Sequence, residues 1–158
     1  MTRRLLSLLL AALPFYAQQV QLPSKKRLTP AAARLIADTI EAEARKNNWA
    51  VTFAVMDAGG HLILLHRMDG CQTGSIELAT LKARAAITYR RETKAFEERM
   101  AAGQLSTLAM PGVFPSEGGV PIIVEGAIIG SAGVSGVLSS QDGQLAKAGV
   151  AALLKALQ

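Results

Sequence analysis

The chain has 158 residues and one cysteine; half of its residues are hydrophobic and 18% are charged. That is enough for one domain, too apolar for a disordered chain, and at 4% aromatic poor in platforms for stacking bases. The formal charge of +5 falls to +3 without Arg3 and Arg4, too little to call for a nucleic-acid partner, and a single cysteine closes no internal disulfide.

Met1 to Arg4 is basic and Leu5 to Phe15 is apolar, a run shorter than the roughly 20 residues that cross a bilayer. A basic start, a short apolar run and a small residue after it form the pattern of a secretory signal. Cleavage after Ala17 would leave a periplasmic or secreted protein with no membrane association; the alternative is an N-terminal helix packed on the domain. Residues 18–27, with Pro23 and Lys25-Lys26-Arg27, read as a flexible leader, and residues 28–158 as the folded domain.

Thr29 as N-cap and Pro30 at the first helical position start a helix that ends at Asn47-Asn48. Val51 to Asp57 and Leu62 to Met68 are rich in strand formers, and Ala58-Gly59-Gly60 between them predicts a hairpin. The second strand is apolar at both parities, so it is either central or covered by another subunit. Ser75 can cap a helix reaching Tyr89, whose Ala79, Ala83 and Ala86 suit close packing on a sheet. A shorter helix from Lys94, a loop from Leu108 to Gly119, a hairpin turning at Glu125-Gly126 and a helix capped by Ser139 or Ser140 complete the order. Hairpins on both sides of a helical segment imply an α+β domain with a mostly antiparallel sheet.

Candidate chemistry is sparse. His61 and His66 stand five residues apart, an odd separation that sends strand side chains to opposite faces, roughly 16 Å from one another. One subunit cannot clamp a metal with both. His66, which shares its strand parity with Leu62, Leu64 and Met68 in an apolar setting, suits an axial haem ligand or a satisfied core histidine; His61 reads as a turn residue. Cys71 could ligate haem iron or act as a redox nucleophile, or be simply a small tucked-in residue. Arg67, Asp69 and Ser75 meet where a strand enters a helix N-terminus, and with Gly118 and Gly119 could form an anion pocket; the alternative is an Arg–Asp pair that fixes the turn. Ser131, Gly133 and Ser135 leave one strand face nearly bare, to be covered by a helix, a second subunit or a planar ligand. Lys82, Arg84, Arg90, Arg91 and Lys94 could meet propionates or simply face water.

Three stretches carry a resemblance: Val55-Met56-Asp57-Ala58-Gly59-Gly60-His61-Leu62 followed by Arg67-Met68-Asp69-Gly70; Glu117-Gly118-Gly119-Val120-Pro121-Ile122; and Gly126 with Ile129 to Gly136. In this order and spacing they resemble the GlcG/HbpS family of small haem-binding proteins, related to the C-terminal domain of PduO-type proteins, over about Leu28 to Leu157. The resemblance implies a five-stranded, mostly antiparallel sheet flanked by helices in a profilin-like layout, its extra strand within Val113 to Gly119. It also implies a homo-oligomer and, from several members, haem as cofactor; the candidate haem contacts, His66, His61, Arg67 and Ser131, come from their own positions in the chain and not from the family. A binding protein for haem capture, buffering or sensing is the first reading. An enzyme acting on a small carboxylate, a corrinoid-binding module and a purely structural subunit are the others.

Overall fold

The computed structural model describes residues 24–158; the expected signal segment and the first part of the leader lie outside them. Helix α1 (Pro30–Lys46) starts as its sequence directs, with Ala32 N donating to the Thr29 hydroxyl at 3.2 Å. Strand β1 (Thr52–Asp57) turns into β2 (Leu62–Arg67), and α2 (Ser75–Tyr89) and α3 (Lys94–Ala101) follow. A 3₁₀ turn at Leu105–Ala109 leads to β3 (Gly119–Val124), β4 (Ala127–Ser135) and α4 (Ser139–Ala156).

Among the described residues the sheet has four strands, all antiparallel, in the order β2-β1-β4-β3. The fifth strand expected between Val113 and Gly119 does not form: that stretch is irregular until Gly119, and Pro115 removes a donor that a ladder would need. Both hairpins form where the sequence placed them. Glu125 and Gly126 both have positive φ (49° and 76°), the backbone of a tight turn whose twist matches its strands.

One face of the sheet carries α1 and α4 over the main core, built from residues such as Ile36, Ile40, Phe53, Val55, Ile122, Val134 and Leu145. The other face carries α2, which lies over β1, β4 and β3. This second contact is close because little bulk intervenes. A Cβ on Gly133 would collide with Ala79 O and sit 2.5 Å from Ala83 N. The bare strip of Ser131, Gly133 and Ser135 is therefore covered by a helix, not by a planar ligand. Ser131 Oγ donates to Ala83 O at 2.8 Å, and Ser135 Oγ lies 3.5 Å from Ser75 Oγ.

Both helix caps expected at serines are corrected. Ser75 is the first helical residue rather than a cap, since Gly74 holds the N-cap and the Ser75 hydroxyl faces Ser135. At α4 the N-cap is Leu138, and Gln141 Oε1 accepts from Leu138 N at 3.2 Å in place of a serine cap. Strand β2 is an edge strand and not a central one. A bulge opposite Val55 and Met56 shifts its register, so that Leu64 opposes Val55 while Leu62 opposes Met56. Leu62 and Leu65 consequently flank the α2 side of the sheet, beyond the reach of that helix, and stand 48% and 40% exposed.

Candidate functional site

The residues assigned to an anion pocket are not brought together. Arg67 lies on β2 and Gly119 on β3, the two edges of the sheet, about 14 Å apart at three strand spacings. Gly118 and Gly119 are packed shut: Gly119 N donates to Thr93 Oγ1 at 2.9 Å, and a Cβ on Gly118 would be 2.9 Å from Lys82 Cδ. Ser75 is buried, while Arg67 donates to Thr73 Oγ1 at 3.4 Å and to no other side chain among the described residues. Asp69 remains in the exposed turn after β2. Cys71 is buried with its sulfur 3.3 Å from Thr52 Oγ1, the tucked-in role.

Lys82 also departs from expectation. It is a buried cation rather than part of a solvated basic face: its Nζ lies 2.7 Å from Asp142 Oδ2, with the two side chains 3% and 2% exposed. The pair ties α2 to the first turn of α4. Around it run further polar contacts, Lys147 to Glu92 at 2.9 Å and to Glu117 at 3.2 Å, and Ser139 Oγ to Glu97 at 2.7 Å. One buried polar atom among the described residues has no partner, the Thr107 hydroxyl in the 3₁₀ turn.

The open space lies elsewhere, at the end of the sheet where both hairpins turn. Two adjoining cavities of about 650 and 600 Å³ share Lys25, Lys26, Ala58 and Ile129 and form one groove on either side of the Ser24–Arg27 segment. Its floor is apolar: Ile63, Ile87, Val124, Ile128 and Ile129. Its rim is basic, with Lys25, Lys26 and Arg27 from the leader and Arg90 from the C-cap of α2. Lys26 pairs with Glu125 across the groove. The sequence reads the Ser24–Arg27 segment as part of a flexible leader; the signal that marks it is the run Lys25-Lys26-Arg27 just ahead of the capped helix.

The two histidines separate here. His66 stacks on Phe53 with ring centroids 5.1 Å apart, its Nε2 lies 3.8 Å from Glu41 Oε2, and it lines neither cavity. His61 lines the groove and its side chain is 82% exposed. Asp57 Oδ1 accepts from Gly59 N at 2.8 Å and His61 N at 2.9 Å, and lies 3.3 Å from His61 Nδ1. The His61 backbone N–H is the main cause holding the Asp57 carboxyl below its ordinary range. A carboxylate at Nδ1 favours the proton there and leaves the Nε2 lone pair for a ligand. Gly59 makes room for this arrangement, since a Cβ there would be 2.8 Å from His61 Nδ1.

An apolar floor, a cationic rim and one imidazole are the groups that a porphyrin carrying two carboxylates and an iron would use, so the groove fits haem. Lys25, Arg27 and Arg90 would meet the propionates, and His61 would supply nitrogen to the iron, which when bound brings redox and ligand-binding chemistry.

Known proteins agree with the fold. Protein GlcG of Escherichia coli is 48% identical over 93 residues, 59% of this chain and 69% of its own length. A double mutant of HbpS from Streptomyces reticuli superposes with a TM-score of 0.76 at 31% identity, covering 89% of this chain and 97% of that one. A structure described as a PduOC–haem complex shares the fold, with a TM-score of 0.73 at 24% identity over 80% of this chain and 95% of that one. Residues 28–151 match the family described as haem degrading protein HbpS-like, and the chain belongs to that family.

Proposed function

We propose that this protein is an exported, oligomeric haem-binding protein that captures, buffers or senses haem in the groove between its two hairpin turns. The observation that carries the reading is the groove itself, an apolar floor bordered by Lys25, Arg27 and Arg90 with His61 at one end. Membership of a family named for haem supports it. The basic start and apolar run before Ala17 support export, and no helix among the described residues is long and apolar enough to cross a membrane. The exposed Leu62 and Leu65 on an edge strand support self-association. A processed N-terminus near Gln18 and a light-scattering mass above that of one chain are what this reading requires.

Of the alternatives, the carboxylate enzyme loses its pocket, because Arg67 and Gly118-Gly119 stand on opposite edges of the sheet. A corrinoid with amidated side chains would leave the cationic rim without anions, and the relatives described above lend it no support.

Hemin titration followed at the Soret band tests the reading. Wild type should shift the band, and His61→Ala should leave a weaker or differently ligated spectrum. His66→Ala should keep the wild-type spectrum, because its ring is stacked on Phe53 away from the groove. A spectrum changed by His66→Ala and not by His61→Ala would move the ligand to the edge strand. No Soret shift in wild type would reject haem binding.

A further inference from the structure

We propose that the groove recognises carboxylated tetrapyrroles as a class, the metal-free ring included, so that iron tunes binding rather than determines it; this rests on the haem reading above. The argument begins with what the iron could gain. His61 is the one imidazole lining the groove, and no cysteine, methionine or tyrosine joins it among the described lining residues. Its side chain is 82% exposed, so water competes for the same coordination position and desolvation adds little to the bond.

The rim and floor offer more. Lys25, Arg27 and Arg90 have no ion-pair partner among the described residues, whereas Lys26 is held by Glu125. Those three cations border the floor formed by Ile87, Val124 and Ile129. Two propionates on one side of a flat apolar ring match that arrangement: carboxylates to the cations through charge-assisted bonds, ring face to the isoleucines. None of these contacts involves the metal.

Fluorescence titration with metal-free protoporphyrin IX, beside an absorbance titration with hemin, tests the proposal on the full-length protein. The two ligands should bind within about tenfold of each other. Lys25→Gln/Arg90→Gln, which alters two exposed side chains, should weaken both ligands by roughly tenfold or more. His61→Ala should weaken hemin alone. Hemin binding without protoporphyrin binding would overturn the proposal and leave the haem reading standing. Binding of both ligands unaltered by the double substitution would overturn it as well, because the rim would then recognise nothing. Failure of both ligands to bind would instead remove the haem reading on which it rests.

Discussion

Lys82→Met should destabilise the domain by about 3–5 kcal/mol, because it leaves the Asp142 carboxyl buried without its cation. Lys82→Met/Asp142→Asn should recover much of that loss. The amide oxygen can still accept from Val137 N, as Asp142 Oδ1 does at 3.3 Å, and no charge remains to desolvate. Urea denaturation of the three proteins measures both effects; a double variant as unstable as Lys82→Met would contradict the argument. The same carboxyl gives a pH signature. Burial pushes Asp142 from 3.8 up to about 6, outweighing the opposing pull of Lys82. Between these values the folded chain holds a proton that the unfolded chain has released, so stability from this group is full below about pH 4 and is lost as pH rises through about 6. The stability of wild type relative to Asp142→Asn should therefore be greater at pH 4 than at pH 7, by roughly 2 kcal/mol.

Gly133→Val should be as damaging by a different route. The new side chain meets backbone atoms of α2, Ala79 O and Ala83 N, which cannot rotate away. Helix and sheet must separate, and overpacking of this kind costs about 3 kcal/mol or more. The variant should lose its cooperative thermal transition or melt far below wild type; a melting temperature within a few degrees of wild type would show that α2 does not rest on β4 this closely. Either result bears on the site, because α2 also carries Arg90 to the rim of the groove.

Local signals were legible in the sequence. Thr29-Pro30, Ala58-Gly59-Gly60 and Glu125-Gly126 specify a cap and two turns through backbone chemistry that needs no distant partner. The flat strip on β4 was legible too, together with helix packing as one of its possible covers. What distance along the chain assembles was not. Lys82 looks like one cation in a basic stretch, and nothing near it reveals Asp142 sixty residues later. Arg67 and Gly118 looked like partners until strand order placed them on opposite edges of the sheet. The bulge in β2 was equally hidden, and it moves Leu62 out of the alternation that joined it to His66. The groove is not legible in the sequence because it is made from the leader, both hairpin turns and the end of α2, four segments of which none carries a motif for binding.

The location of bound ligand tests the account most directly. In ¹⁵N-resolved NMR spectra of the protein with ferric hemin, the paramagnetic iron should broaden amides around the groove, those of Gly59, Arg90 and Ile129 first. Amides of Cys71, Ser75 and Gly133 should stay sharp. Broadening centred on His66, Arg67 and Met68, with Gly59 and Ile129 unaffected, would contradict the groove as the haem site.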